Sequence, residues 1–126
     1  MTKNAMFKLV VYSPKSHMDE MLEALQKNGC GTLGDGKYEG CAFLTFGHGT
    51  WIAQKGSKPF KGRLNRREMI QEVRVESTCP ASKVDDVVKI LRSVHPYEEP
   101  VIEVYPLEGL DSRVSVKPAL QALRSK

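Results

Sequence analysis

Three pairs of residues, Pro14 and Pro80, Ser16 and Ser82, and Leu25 and Leu91, stand 66 positions apart, and the stretches around them follow one plan. In the first copy, Phe7, Leu9 and Val11 alternate around Lys8 with further apolar neighbours, the pattern of a central strand from Met6 to Tyr12 that Pro14 ends. Ser16 stands three residues before Asp19, a capping-box spacing, and Met18, Met21, Leu22 and Leu25 then recur at helical intervals until Asn28-Gly29. In the second copy Val73 and Val75 alternate, Pro80 stops the strand, Ser82 precedes Asp85 by three, and Val84, Val87, Val88 and Leu91 form the apolar stripe. Each unit is followed by a further strand pattern, Cys41 to Phe46 and Val101 to Tyr105. The order is therefore β-α-β-β-α-β. With right-handed crossovers it predicts an α+β, ferredoxin-like split βαβ domain over residues 1–108, a four-stranded antiparallel sheet with two helices on one face. The opposite face is left in need of cover.

The second helix must stop where His95-Pro96-Tyr97-Glu98-Glu99-Pro100 begins, because Pro96 drives His95 out of the helical region. Pro100 then opens the last strand, a place where a missing N–H is tolerated. This stiff corner holds an imidazole, a phenol and two carboxylates in a nearly fixed arrangement, as a binding site requires. Imidazole and carboxylate suit divalent cations, so one reading is a metal site built from His95, Glu98, Glu99 and His48. The other is structural: His95 caps a helix C-terminus, where a partly protonated ring gains roughly 0.3–1 kcal/mol from the dipole, and Tyr97 packs and hydrogen-bonds locally.

Between the two copies, a hairpin extension is expected over residues 47–67, opening with Gly47-His48-Gly49-Thr50-Trp51 and containing Pro59 and Phe60. Residues 55–67 hold Lys55, Lys58, Lys61, Arg63, Arg66 and Arg67 and no acid. That segment carries +6 of a chain whose net charge is +4, so the rest is −2. Trp51 and Tyr97 together with Lys58, Lys61 and Arg63 are the candidate ligand-binding residues, for a small anionic ligand or a partner protein. The glycine spacing matches neither a phosphate loop nor a dinucleotide fingerprint, and nucleic acid is not the expected partner. Residues 109–126 form a weakly patterned tail in which Pro118 opens a short helix through Leu120 and Leu123.

Function classes can also be excluded. The 126 residues suffice for one core without staples. No apolar run approaches the ~20 residues of a membrane span, and the first residues lack the pattern of a signal peptide, so a cytoplasmic protein is expected. Cys30, Cys41 and Cys79 are odd in number and without a C-x-x-C pair, which speaks against a disulfide framework or structural zinc. No G-x-S-x-G elbow is present and no cysteine is spaced against a histidine, so a non-enzymatic role is expected before an enzyme.

The combination of His95-Pro96-Tyr97-Glu98 with Pro100, Tyr105-Pro106-Leu107, Ser16-His17, Gly47-x-Gly49-Thr50-Trp51, Pro59-Phe60-x-Gly62 and Glu72-x-Arg74-x-Glu76 resembles the YqfO-type insert domain of the Nif-three-like family over residues 6–108. The His-Pro-Tyr corner also resembles that of CutA proteins, though this chain lacks their cysteine-containing second strand and has the longer hairpin. The resemblance implies a PII/CutA-like homotrimer in which neighbours cover the open sheet face. In full-length relatives the module sits within a larger domain holding a two-metal centre of His, Asp and Glu. No residues are expected to remain here for that domain, so its metals and hydrolase activity do not carry over. The expected function is a trimeric binding or regulatory module, and the alternative is a divalent-metal-binding protein of the CutA kind.

Overall fold

A computed structural model describes residues 6–109. It contains the strands β1 (Met6–Pro14), β2 (Phe43–Ile52), β3 (Arg67–Pro80) and β4 (Ile102–Leu107), with helices α1 (Met18–Lys27) and α2 (Val84–Val94). The strands lie in the order β2-β3-β1-β4 with every neighbouring pair antiparallel. This is the ferredoxin-like α+β arrangement that the 66-residue offset implies. The short helix expected after Pro118 lies outside the described residues.

Register decides which side chains make the core. Val11 stands opposite Val75 on one side and Ile102 on the other, and Leu9 opposite Ser77 and Val104. These side chains share the helix-covered face, where Leu9, Val11, Val73 and Val75 are buried with Met21 and Leu25 of α1 and Val87 and Leu91 of α2. Truncating a side chain buried like Leu91 costs about 2–5 kcal/mol. The other face carries Lys8, Tyr12, Arg74, Glu76, Glu103 and Tyr105. Its central residue, Val10, is nonetheless inaccessible to solvent, flanked directly by Glu76 and Glu103.

The caps differ from the sequence expectation. Both helices are preceded by a 3-10 turn, Lys15–His17 and Ala81–Lys83, so Ser16 and Ser82 fall inside the turns and neither side chain caps the α-helix. His17 and Lys83 occupy the cap positions, again 66 apart, and Asp19 and Asp85 still place negative charge in the first turns. The exit of α1 is as expected: Gly29, at φ +83°, donates its N–H to Gln26 and Cys30 donates to Leu25. That double bond is a Schellman motif, and it buries Cys30.

The strand limits also shift. Cys41 is not the start of β2, because its N–H is committed to the carbonyl of Gly31 at 3.0 Å, where a Cβ on Gly31 would overlap the Cys41 backbone. Gly47 to Trp51 are not turn residues but the middle of β2, paired from Glu72 to Glu68 of β3. The expected extension over 47–67 therefore contracts to a connection over 53–66 at the end of a long two-stranded ribbon. Pro100 precedes β4 by two residues rather than opening it.

Candidate functional site

α2 ends at Val94, and His95 takes an extended conformation at φ −75° and ψ 137°, as Pro96 requires. The imidazole is 7% exposed and spans two backbone groups. Its Nε2 lies 2.7 Å from the Tyr12 carbonyl, and its Nδ1 accepts the Tyr97 N–H at 3.1 Å. Only the neutral ring with hydrogen on Nε2 satisfies both. Burial also pushes the His95 pKa below its ordinary value, against a smaller opposing effect of the Tyr12 carbonyl. The partly protonated, dipole-bound ring expected from sequence is thus replaced by a neutral brace that ties the corner to β1.

Tyr97 is the hub of what lies outside it. Its ring packs against His95 at 4.8 Å, Phe60 at 5.4 Å and Trp51 at 5.6 Å between centroids. Its hydroxyl donates not to a local group, as expected, but to Glu72 Oε2 of β3 at 2.5 Å. Burial first and the Glu72 bond second hold this phenol protonated well above the usual tyrosine range. Gly49 makes the arrangement possible: a Cβ there would overlap the Glu72 carboxylate, which lies across the bare β2 backbone. The need is for space, since Gly49 does not have a positive φ.

The 53–66 connection folds back over the corner. The Lys58 N–H donates to Glu98 Oε1 at 2.9 Å, and Phe60 meets Tyr97 and, in a T-shaped contact at 5.8 Å between centroids, His17. Asn65, at φ +60°, closes the connection by donating to the Ala53 carbonyl at 2.7 Å. Between connection, ribbon and corner lies a cavity of about 510 Å³. Tyr12, Trp51, Phe60 and Tyr97 give it aromatic walls, with Pro59 and Val101 adding apolar surface. Four carboxylates line it, those of Glu72, Glu98, Glu99 and Glu103, against a single cation, Lys58.

The structure thus brings Trp51, Lys58, Tyr97, Glu98 and Glu99 to one cavity and leaves the other candidates outside it. Lys61 and Arg63 are exposed on the connection and do not line it. His48 pairs with Gln71, and the alternation of β2 puts it on the opposite face of the ribbon from Trp51. Among the described residues no three His, Cys, Asp or Glu side chains converge as metal ligands would. Glu99 instead lies 3.7 Å from Arg92. Sequence reasoning gave no site role to Glu72, Glu103, Phe60 or Tyr12. The signal within reach was Glu72 in the Glu72-x-Arg74-x-Glu76 alternation, where it stands on the open face opposite Gly47 of β2.

No family model matches the chain. A GTP cyclohydrolase 1 type 2 homolog from Halalkalibacterium halodurans is 36% identical to it over 106 residues, and one from Bacillus subtilis is 38% identical over 101. A solved Bacillus cereus protein related to NIF3 superposes on 86% of the chain with a TM-score of 0.72 and 36% identity. The chain belongs to the Nif-three-like family, as its YqfO-type domain. That domain covers 84% and 80% of this chain but only 28% and 26% of the two named homologs, and 27% of the B. cereus chain. The same fold recurs in Archaeoglobus fulgidus CutA, a divalent cation tolerance protein, at a TM-score of 0.60 and 14% identity over 86% of this chain and 91% of that one. It recurs again in a B. subtilis GlnK–ATP complex at 0.55 and 16%, over 82% and 84%. These two likenesses concern the fold of the YqfO-type domain alone.

Proposed function

We propose that this YqfO-type domain, residues 1–108, is a non-enzymatic, homotrimeric binding or regulatory module that takes a small ligand or a segment of a partner into the cavity beside Tyr97. The observation that carries the reading is the preorganised hub: three rings and one carboxylate fix Tyr97, and the 53–66 connection is tied to the corner through Glu98. Such a concave, mostly apolar cavity with a few placed polar groups is suited to ligand binding. Binding is favoured over catalysis because both His95 nitrogens are engaged, the Tyr97 phenol is held protonated, and burial pushes the Cys30 thiol up to about 12.

Trimer formation is supported by surface chemistry. Among the described residues the helices cover one face of the sheet, β2 is an edge strand, and Phe43 and Met69 on the ribbon are 68% and 59% exposed. No helix among the described residues is long and apolar enough to cross a membrane. A cytoplasmic setting fits the free cysteines Cys30, Cys41 and Cys79. The cyclohydrolase name belongs to proteins of which this domain is about a quarter, and the present reading concerns the domain.

A thermal-shift screen of small molecules tests the proposal, since a ligand that binds only the folded state raises the melting temperature. Compounds that stabilise the wild type should lose that effect in Trp51→Ala. If every stabiliser acts equally on both proteins, the cavity is not the site.

A further inference from the structure

We infer that the cavity selects an organic cation, a molecule with an alkylammonium or guanidinium head on an apolar body. This deepens the reading of the cavity as a ligand site and rests on it. The basic connection invites the opposite expectation of an anion, but its charge does not face the cavity. Of the lysines and arginines between residues 53 and 66, only Lys58 lines it, and Lys58 makes no ion pair with the surrounding carboxylates among the described residues. The lining has four carboxylates and one ammonium, and with Glu99 paired to Arg92 at 3.7 Å a formal charge of −2 remains.

Three of those carboxylates are held in the same way. Glu72 receives Tyr97 on Oε2, Glu98 receives the Lys58 N–H on Oε1, and Glu103 receives Tyr12 and Tyr105 on Oε1, at 3.2 and 2.9 Å. In each, one oxygen is oriented by a donor and the other has no hydrogen-bond partner among the described residues. An ionised carboxylate can only accept, so these oxygens are placed to receive N–H bonds from a cationic ligand head. Aromatic walls suit the same charge, because the π-face of a tryptophan or tyrosine ring attracts cations.

Size and spacing exclude a bare metal ion as the intended occupant. A space of about 510 Å³ is that of a small organic molecule, and the carboxylates are spread around it rather than converged on one point. A flexible alkyl chain can lie on the rings while its charged ends reach different carboxylates.

The test compares two probes of the same chain length and opposite charge, cadaverine and glutarate, by calorimetry and by the fluorescence of Trp51, the only tryptophan. Cadaverine should bind and glutarate should not. Glu72→Gln and Glu98→Gln should each weaken cadaverine by about tenfold or more, the loss of one charge-assisted hydrogen bond. Glu98 is exposed, so its variant keeps the test valid even if Glu72→Gln unsettles the fold. Glutarate or ATP binding with a Trp51 response would overturn the cation inference while sparing the cavity as a site. Failure of cadaverine to bind at millimolar concentration, or binding indifferent to both substitutions, would overturn it as well. The loss of stabilisation in Trp51→Ala judges the cavity separately.

Discussion

Replacing His95 by Asn removes a ring that spans two backbone groups, and the cost follows from what it leaves behind. The β1–β4 ladder ends at the Val11–Ile102 pair, so the Tyr12 carbonyl lies beyond the ladder and depends on His95 Nε2. The Tyr97 N–H depends on Nδ1. An unsatisfied buried polar group costs about 1–3 kcal/mol. Because Tyr12 and Tyr97 are half-buried, the lower part of that range applies to each. Asn is too short to span both positions, and the total comes to about 2–3 kcal/mol. At a fixed protomer concentration this lowers the urea midpoint by about 1–2 M. The pH dependence separates this brace from a residue that merely packs. Burial holds the His95 pKa below its ordinary value of 6.5. The unfolded chain therefore takes up the proton first as pH falls. The contribution of the neutral ring is complete above about pH 6.5 and declines as the pH drops from there toward the folded-state value. The Asn variant lacks that decline. Urea titrations of both proteins at pH 8 and at pH 5.5 measure it, and the two stability differences should not be equal. A loss below about 1 kcal/mol at pH 8, or parallel pH profiles, would refute the assignment of His95 as a neutral double bridge.

Three further outcomes follow from the same geometry. Gly49→Ala puts a Cβ into the Glu72 carboxylate and should cost about 1–3 kcal/mol as an overpacked contact, with Trp51 fluorescence altered as Glu72 and Tyr97 move; an unchanged melting curve and spectrum would show that Glu72 does not lie there. Tyr97→Phe removes a hydrogen bond to a carboxylate, worth about 1.5–3 kcal/mol. Because the folded phenol is raised above its unfolded value near 10, that stability is complete below pH 10 and lost as pH rises beyond it, so alkaline titration should lose one late-ionising tyrosine in the variant. Phe43→Glu with Met69→Glu should reduce the sedimentation mass to that of one chain, and a mass equal to the wild type's would move the subunit contact away from the ribbon.

The fold was legible because its information is local and duplicated. Alternation, proline stops and helical stripes each act over a few residues, and the 66-residue offset states the plan twice. What misled were signals with two physical meanings. Ser16 and Ser82 have the spacing of caps, yet the prolines before them set a 3-10 turn that moves the true cap one residue on. Gly47-x-Gly49 reads as a turn, but Gly49 is glycine to clear a side chain reaching across from β3. The corner declared itself as a stiff element, and Tyr97, Trp51, Lys58, Glu98 and Glu99 do meet at one cavity. Its electrostatic sign was not legible. The positive run is consecutive in sequence and easily seen, whereas Glu72, Glu98 and Glu103 come from three separate segments that only the folded sheet and corner bring together.

Native mass spectrometry of the freshly purified protein puts the central claim, an assembled module with an occupied cavity, to its most direct trial. Beside the bare mass of three 14.1 kDa chains, the account predicts trimers carrying a small-molecule adduct, up to one per chain, that disappears in Trp51→Ala while the trimer remains. A monomer, or a trimer whose adducts are the same in the wild type and in that variant, would contradict it.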